Sequence, residues 1–324
     1  MKTPITEFDI VFISYDEPNA DANWQDLIKK CPWAKRSHGV YGSDAAHKAA
    51  AKLSTTDRFI TVDADNIVLP EFFNVELDMS QVGDLDVISW AGKNIINGLA
   101  YGNGGIKMWP VNVVTSMRSH ENSDARDKRA QVDFCWNVNY VQMNNVYSHV
   151  YNNASPYQSY RAGFREGCKM SLMHGDVVSI DRLQDVPVNY RRLLMWMNIG
   201  ADTVNGLWAI YGARLGFYMT NFDRDLWNWR DVRDFKWHDE FWAKTISTKF
   251  ADDFGTMCDN TGYSYDQARL VAEIKALGNR IKQRINLPLV ELDSDQSQFF
   301  KEVWTPPSRV GVLVKETDIM VGIE

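Results

Sequence analysis

The sequence has few cysteines and no long apolar run. Its 324 residues include four cysteines, and none form a C-x-x-C pair, so we expect reduced, buried thiols rather than a thiolate metal site. No apolar run reaches the about 18 residues that span a bilayer, and no signal-peptide pattern follows Met1. We therefore expect a cytoplasmic protein with no membrane partner. The cysteines are Cys31, Cys135, Cys168 and Cys258.

A surplus of basic residues and two glycine-rich nucleotide-binding motifs are also missing. The formal net charge is -7, and the absence of a basic surplus argues against a large nucleic-acid interface, although not against a local basic patch. The chain also lacks G-x-G-x-x-G and G-x-x-x-x-G-K. A dinucleotide-binding Rossmann site and a P-loop are therefore disfavoured.

The first part of the chain alternates strand and helix patterns. The apolar stretch Phe8–Tyr15 predicts a strand, residues 21–31 a helix and residues 34–40 a second strand. Ser43 is a good N-cap for the alanine-rich helix Ala45–Leu53. This β-α-β-α-β order predicts an α/β fold with a mostly parallel, Rossmann-like sheet flanked by helices.

The next predicted strand, Arg58–Val62, ends in Asp63 and Asp65, which are separated by one alanine. Because side chains alternate along a strand, we expect both carboxylates on the same side. They lie where open α/β sheets bind ligands, and they suit Mg²⁺ or Mn²⁺, which takes oxygen ligands and keeps positions for phosphate oxygens. A structural turn rich in aspartate and asparagine is the alternative.

Three later stretches admit both a structural and a functional reading. The glycine-rich Tyr101–Pro110 is either a plain turn or a binding groove with an aromatic residue at each end. The predicted strand Gln131–Trp136 contains Asp133, a buried acid that is either paired structurally or catalytic. Asp202 lies between two predicted helices, where an N-cap role competes with a functional one.

A helix is predicted from Ser155-Pro156 to about His174, and it stops at Gly175. Arg161 lies within its apolar arc and Arg165 on the border, so each needs an acid or a phosphate as a partner. Glu166 projects toward solvent unless the helix breaks near a glycine. Farther along, Asp223–Phe241 is dense in Trp, Asp and Arg, which fits either a packed polar-aromatic layer or the floor of a sugar site.

On these residues the chain resembles glycosyltransferases of the GT-A fold. The resemblance is carried by the first strand with its Ser14-Tyr15-Asp16-Glu17 end, by the helix Gly42–Leu53, and by Asp63-Ala64-Asp65, which matches the Asp-x-Asp motif of that family. It covers about the first quarter of the chain. The stretches Tyr101–Pro110, Gly163–Lys169 and Asn198–Gly206 are also similar to glycosyltransferases of T4-like phages.

The resemblance implies a domain organisation as well as a GT-A-like sheet. Residues 1–180 are expected to form the nucleotide-sugar and metal-binding catalytic core. Residues 181–285 are expected to be a helical, aromatic-rich, acceptor-side region of the same domain, and residues 286–324 an extended C-terminal tail.

The resemblance further implies a nucleoside-diphosphate sugar as the donor, most often a UDP-sugar. The nucleobase would lie near Ser14, Tyr15, Asp16 and Glu17. Asp65, helped by Asp63, would bind Mn²⁺ or Mg²⁺, which offsets charge on the leaving diphosphate. Further candidates for donor binding are Ser43 and Arg165. His174 is the first candidate for a downstream metal ligand, and His238 is the second.

The catalytic base stays unassigned, and so does the stereochemistry of transfer. An inverting enzyme needs a carboxylate that accepts the proton of the acceptor hydroxyl, and related families carry x-Glu-Asp at the start of a late helix. This chain has Arg165-Glu166 near that place, followed by Gly167 instead of Asp. Glu166, Asp133 and Asp202 are the candidates.

The leading hypothesis is therefore a metal-dependent glycosyltransferase. The phage resemblance and the ridge Arg161, Arg165 and Lys169 favour double-stranded phage DNA with 5-hydroxymethylcytosine as the acceptor, in the host cytoplasm. A surface glycan or a protein is the alternative acceptor. A nucleotidyltransferase and a non-catalytic nucleotide-binding protein are the other classes; the former usually carries a glycine-rich or lysine-bearing phosphate loop, and Asp16-Glu17-Pro18 is neither.

Overall fold

A computed structural model of the chain describes residues 2–122, 138–252 and 265–303, without the side chains of residues 101–104 and 144. The chain forms two compact units. The described part of the first unit comprises residues 2–122 and 138–151, and that of the second comprises residues 152–252 and 265–303. The boundary between the two units falls after Tyr151.

The first unit contains strands and helices that alternate at first and then become mostly strand. Its strands and helices, in chain order, are β1 (Lys2–Pro4), β2 (Asp9–Ser14), α1 (Ala20–Lys30), β3 (Lys35–His38), α2 (Ser43–Leu53), β4 (Arg58–Asp63), β5 (Asn66–Val68), β6 (Glu76–Asp78), β7 (Val87–Asn94), β8 (Ala100–Pro110), α3 (Val111–Ser116) and β9 (Tyr140–Val150). The prediction of an α/β fold is confirmed.

A seven-stranded sheet is the centre of the first unit, in the order β3-β2-β4-β8-β7-β9-β5. Strands β3, β2 and β4 run parallel, as does the pair β7–β9. The pairs β4–β8, β8–β7 and β9–β5 are antiparallel. The expectation of a mostly parallel sheet is therefore wrong: the sheet is mixed, because β8 pairs between β4 and β7 in the opposite direction.

Alternation along the central strands gives this sheet two buried faces. Ile10 and Phe12 of β2 pack in one apolar cluster with Leu27 of α1. Val11, between them, packs in the other cluster with Ala50 of α2 and Val114 of α3. Because successive side chains point to opposite faces, a nearly continuous apolar strand needs helices on both faces of the sheet. The polar residues follow the ends of these strands.

Among its described residues, the second unit is mainly helical and contains one short hairpin. Its elements, in chain order, are α4 (Pro156–Lys169), β10 (Leu172–Met173), β11 (Asp176–Val177), α5 (Pro187–Asn198), α6 (Gly206–Phe222), α7 (Phe235–Phe241), α8 (Ser247–Phe250), α9 (Gln267–Arg284) and α10 (Ser294–Val303). The expectation of a helical C-terminal portion is confirmed. Within the described part of the predicted extended tail, residues 286–293 are neither helix nor strand, and residues 294–303 form α10.

Helix α4 begins as the sequence predicts and ends earlier. Ser155 is its N-cap and accepts a hydrogen bond from the Gln158 backbone N–H at 3.1 Å. The helix ends at Lys169, and the chain then turns into the hairpin β10–β11. His174 and Gly175 form the tip of this hairpin, with φ angles of 51° and 81°, the left-handed conformation that two-residue hairpins require.

Glycines bring α4 and α6 into backbone contact. A Cβ atom added at Gly163 would lie 2.0 Å from the Ala209 carbonyl oxygen, and one at Gly167 would lie 2.1 Å from that of Ala213. Conversely, a Cβ at Gly212 would lie 2.2 Å from the Tyr160 carbonyl oxygen. Since real Cβ atoms do not approach this closely, only glycine allows this packing, and α4 continues through its glycines without a break.

One buried arginine connects the helices of the second unit. The side chain of Arg214, in α6, is fully buried. It donates to the carbonyl oxygens of Met197 at 2.9 Å and Ile274 at 2.8 Å, and to Glu291 Oε1 at 2.9 Å. A buried guanidinium needs such acceptors, so Arg214 ties α5, α9 and the segment before α10 to α6.

Within the described ranges, no helix combines the length and the apolar character needed to cross a membrane.

Candidate functional site

The aspartate turn (Asp63, Ala64 and Asp65) joins β4 to β5. Strand β4 ends at Asp63, Ala64 and Asp65 form a turn, and β5 begins at Asn66. Strand alternation therefore does not apply to this pair of carboxylates, because Asp65 is a turn residue and not a strand residue. The turn itself keeps the two carboxylates close enough to interact electrostatically.

Two hydrogen bonds fix the backbone of the aspartate turn. The buried amide of Asn23, in α1, donates to the Ala64 carbonyl oxygen at 2.8 Å. The backbone N–H of Tyr151, directly after β9, donates to the Asp65 carbonyl oxygen at 2.6 Å. Because a buried carbonyl group left without a donor costs free energy, these bonds favour one geometry of the turn.

A glycine and an asparagine orient the Asp65 side chain. The Asn66 amide donates to Asp65 Oδ1 at 2.7 Å. Gly105, in β8, has a φ angle of 85°, and a Cβ atom there would lie 2.2 Å from Asn66 Nδ2. The glycine-rich stretch Tyr101–Pro110 is thus part of a strand, and Gly105 leaves room for the asparagine that holds Asp65.

Negative charge accumulates at the aspartate turn. Burial raises the pKa of Asp65, the charges of Asp63 and Glu17 raise it further, and together they bring the pKa to about 7. The hydrogen bond from Asn66 opposes these effects. A divalent cation bound beside Asp65 would offset this negative potential.

His47, in α2, is a neighbour of the turn that the sequence did not reveal. Its side chain is buried, its Nδ1 donates to the Ser43 carbonyl oxygen at 2.8 Å, and its ring packs edge-on against Trp109. Burial lowers the pKa of His47, and the negative charge of Asp63 counteracts that effect. A single histidine in an alanine-rich helix carries no motif, so no sequence signal singled it out.

The carboxyl end of β2 lies beside the turn, since Ile13 pairs with Asp63. Ser14 is buried there, and its hydroxyl accepts from Arg36 Nε at 3.0 Å and lies 2.9 Å from His38 Nδ1. Its hydroxyl is therefore engaged within the sheet. This makes Ser14 a support for the strand end more than a direct ligand group.

Exposed aromatic rings flank the same strand end. Tyr15 and Tyr41 are 41% and 61% exposed, and their rings meet edge-on with centroids 5.7 Å apart. The Tyr15 backbone N–H donates to Glu17 Oε2 at 2.8 Å, while Asp16 is exposed. Two exposed aromatic rings next to carboxylates offer a surface on which a flat ring can stack. Tyr41 was not among the predicted residues.

Ser43 is the first residue of α2, and the N-cap is Gly42 rather than Ser43. The backbone N–H groups of Ser43 and Asp44 donate to the two carboxylate oxygens of Glu121, at 2.8 and 3.1 Å. A carboxylate is a natural partner for a helix N-terminus. The backbone of Ser43 therefore already has an anionic partner within the first unit.

The remaining predicted residues belong to the second unit, except Asp133, which lies outside the described residues. Arg165 has its guanidinium 5.9 Å from the centre of the Phe235 ring, and Arg161 has its own at 4.9 Å. The predicted need of these arginines for an acid or a phosphate is thus met in part by a cation–π contact.

Two predicted acids have structural surroundings in the second unit. Asp202 forms an ion pair with Lys301 of α10, and both side chains are largely buried. This pairing anchors α10 and makes Asp202 a poor candidate for a base. Glu166 is partly exposed on α4, and the helix break that would turn it inward does not occur, since α4 is continuous.

The two candidate histidines differ in accessibility. His174 is exposed at the tip of the hairpin β10–β11. His238 is buried, with Nε2 3.0 Å from the Val232 carbonyl oxygen. Burial lowers the pKa of His238 to about 3, and the charges of Arg165 and Arg161 contribute. His238 is therefore a neutral core residue, and His174 is the more accessible nitrogen ligand.

Among the described residues, no three His, Cys, Asp or Glu side chains form a group that could hold a metal on its own. Ions such as Mg²⁺ often bind through one or two carboxylates and take their other oxygens from substrate phosphates and water. The aspartate turn offers two carboxylates in a negative potential. These two carboxylates fit an ion that is also bound by the phosphate oxygens of a ligand.

Comparisons with known proteins do not assign the chain. No protein-family model matches it, and no curated protein matches it significantly.

Proposed function

We propose that the protein is a metal-dependent glycosyltransferase that uses a nucleoside-diphosphate sugar. The observation that carries this proposal is the aspartate turn. Two carboxylates stand at the carboxyl end of a central strand, on a backbone fixed by Asn23 and Tyr151. A bound cation would offset the negative potential that raises the pKa of Asp65. The resemblance to GT-A glycosyltransferases supports the same reading.

The residues of the first unit have the following proposed roles. Asp65 and Asp63 hold Mn²⁺ or Mg²⁺, which when bound offsets the charge on the leaving diphosphate. Asn66 keeps the Asp65 carboxylate in one orientation. The rings of Tyr15 and Tyr41 stack against the nucleobase, and the donor is thereby held with its diphosphate toward the turn.

The acceptor is proposed from the resemblance to phage glycosyltransferases. Double-stranded DNA containing 5-hydroxymethylcytosine is the first acceptor to test, and a glycan or protein hydroxyl is the second. Product analysis separates this function from nucleotidyl transfer. A glycosyltransferase releases a nucleoside diphosphate, whereas a nucleotidyltransferase releases pyrophosphate.

Donor binding tests the proposal most directly. A panel of nucleotide sugars is titrated calorimetrically into the protein with Mn²⁺ and with EDTA, and slow hydrolysis is followed by product analysis. We expect one donor to bind and to hydrolyse only with the metal. Asp65→Asn should weaken that binding at least about 10-fold, since even residues that merely support a ligand contribute this much to metal affinity.

Asp84→Asn is the matched control, because Asp84 is an exposed aspartate of the same unit. It should bind the donor as the unaltered protein does. If no nucleotide sugar binds in a metal-dependent way, or if Asp65→Asn and Asp84→Asn behave alike, the aspartate turn is a structural turn and the proposal is wrong.

A further inference from the structure

A cleft of about 610 Å³ lies on the second unit, apart from the residues proposed above to bind the donor and the metal. Its walls come from β11, from the end of α6 and from the segment that follows α6. Its lining includes Asp176, Thr220, Arg224, Trp227, Trp229 and Arg230. This volume falls within the range of small-molecule sites.

Two arginines in the cleft lack a carboxylate partner among the residues the structure describes. Arg224 donates from Nε to the Thr220 carbonyl oxygen at 3.2 Å, a bond that does not use its two terminal nitrogens. The Arg230 guanidinium lies 4.6 Å from the centre of the Trp229 ring. Stacking of this kind holds a guanidinium plane without using its N–H donors. Both arginines therefore retain donors suited to an oxyanion.

The residues that line the cleft carry two positive charges, on Arg224 and Arg230, and one negative charge, on Asp176. Next to them, burial lowers the pKa of Arg233 and the charge of Arg230 lowers it further, while the charges of Asp231 and Asp234 raise it. The lining itself is therefore slightly positive in a chain whose formal net charge is -7.

The aromatic part of the cleft is rigid. Trp227 is 6% exposed and meets Phe164 of α4 edge-on, with centroids 5.4 Å apart. Its indole N–H is buried and finds no acceptor within the described ranges. The wall of the cleft therefore contains a packed ring whose unpaired indole N–H lies beneath the accessible surface. Such unsatisfied donors are uncommon in folded proteins.

The hairpin β10–β11, which contributes Asp176 to the lining, has a tight two-residue turn. His174 adopts a φ angle of 51° at its tip, which is uncommon for a residue other than glycine. Met173 pairs with Asp176 in the hairpin register. This tight turn fixes where β11 presents Asp176 to the cleft.

From these observations we propose that the cleft binds a phosphate group attached to a ring, as in a sugar phosphate or a nucleotide unit. Arg224 and Arg230 hold the phosphate oxygens in bidentate fashion. The ring lies beside Trp229 and Trp227, where tryptophan faces favour flat or C–H-rich rings. The proposal does not depend on the donor site in the first unit.

The cleft is tested by calorimetric titration in EDTA, which removes metal-dependent donor binding. The titrated chain also carries Asp65→Asn, so that the donor site does not contribute to the signal. The probes are inorganic phosphate, ribose 5-phosphate, thymidine 5′-monophosphate and a short single-stranded oligodeoxynucleotide. We expect at least one ring-bearing probe to bind more tightly than inorganic phosphate. Arg224→Gln and Arg230→Gln should each raise its Kd at least about 10-fold, the loss typical of a hydrogen bond to a charged group.

Trp229→Leu should weaken the ring-bearing probes and leave inorganic phosphate unchanged, and Trp229→Phe should restore part of the loss. Arg182→Gln is the control, because Arg182 is an exposed arginine of the same unit that pairs with Asp185. Circular dichroism and thermal unfolding establish that each variant is folded. If Trp229→Leu is not folded, Trp229→Phe alone tests the contact between the ring of the probe and Trp229.

The outcomes separate the sources of the phosphate. Tighter binding of the oligonucleotide supports the proposal with a nucleic-acid strand as the ligand, and tighter binding of the monophosphates supports it with a small molecule. The proposal is overturned if no probe binds, if inorganic phosphate binds as tightly as the ring-bearing probes, or if Arg182→Gln has the same effect as Arg224→Gln and Arg230→Gln.

Discussion

In the first unit hydrogen-bonding side chains surround a turn, whereas in the second unit glycines bring helix backbones into contact. Asn23 and Asn66 bind the aspartate turn directly. In the second unit, Gly163 and Gly212 let the backbones of α4 and α6 approach so closely that a Cβ atom at either position would overlap the facing helix. Polar contacts specify the orientation of a few atoms, and close packing specifies the position of whole helices.

This difference indicates where function and stability can be altered separately. A change beside the aspartate turn should affect binding more than folding, because it loosens a few atoms at a sheet edge. A change in the α4–α6 contact or at Arg214 should affect folding first, because it displaces elements that several others pack against.

The largest expected effect follows from Arg214→Met. Removal of the guanidinium leaves the carbonyl groups of Met197 and Ile274 without their donor, and loss of one member of a buried polar set typically costs about 3–5 kcal/mol. Urea unfolding should show a loss of about 4 kcal/mol, and hydrogen exchange should show lost protection in α5, α6 and α9 first.

Arg280→Met is the control for that change, since Arg280 is an exposed arginine of α9 whose guanidinium lies 5.4 Å from the centre of the Tyr218 ring. It should cost less than about 1 kcal/mol. Equal losses for both variants would contradict the assignment of Arg214 as the tie between the helices.

The next effect concerns Gly163, where Gly→Ala should destabilise the protein although alanine has the higher helix propensity. In an isolated helix Gly→Ala stabilises by about 1 kcal/mol. In the second unit Gly163→Ala should instead destabilise by about 3 kcal/mol, because the new methyl group overlaps the Ala209 carbonyl oxygen and overpacking typically costs about 1–3 kcal/mol or more. Chemical unfolding measures the change.

Ala162→Gly, the adjacent position of α4, is the matched control for Gly163→Ala. It makes the opposite change of residue type and should cost about 1 kcal/mol from propensity alone. A stabilising Gly163→Ala would show that α4 and α6 do not approach as closely as their glycines indicate.

The first unit provides the contrasting test in Asn23→Ala. Loss of the bond to the Ala64 carbonyl oxygen should cost about 1–2 kcal/mol of stability. It should weaken metal-dependent donor binding about 10-fold or more, as loss of a residue that orients metal ligands does. The exposed Asn74 gives the control Asn74→Ala, which should leave both quantities unchanged. A variant that loses stability but binds normally would separate Asn23 from the site.

The last effect, which is confined to acid pH, concerns His238. Burial lowers the pKa of His238 to about 3, below its ordinary value, so the unfolded chain binds a proton that the folded chain does not. This group therefore favours unfolding as pH falls from about 6.5 toward 3, and at pH 5 the loss is about 2 kcal/mol. The loss is absent above pH 7.

His238→Gln removes that titration. Thermal unfolding at pH 7 and pH 5 should show a smaller drop between the two pH values for His238→Gln than for the unaltered chain. His174→Gln, at the exposed tip of the hairpin, is the control and should keep the full drop. An unchanged pH dependence in His238→Gln would mean that other groups dominate acid destabilisation.

Much of the fold was readable from sequence because it depends on local patterns. The strand predicted at Arg58–Val62 forms as β4, and the N-cap at Ser155 starts α4 as expected. Apolar alternation and capping residues act over a few positions, so their signal survives in the sequence. The mixed direction of the sheet did not follow from such patterns, because strand β8 pairs with β4 through contacts distant in sequence.

The candidate site divides in the same way. The sequence by itself determined that two aspartates follow a buried strand. Only the tertiary structure decided that they lie in a turn held by Asn23, that Gly105 makes room for Asn66, and that the glycines of α4 pack against α6 instead of breaking the helix. Spacing along the chain fixes periodic, local features, whereas the contacts that orient a side chain come from residues far apart in sequence, whose meeting no local pattern records.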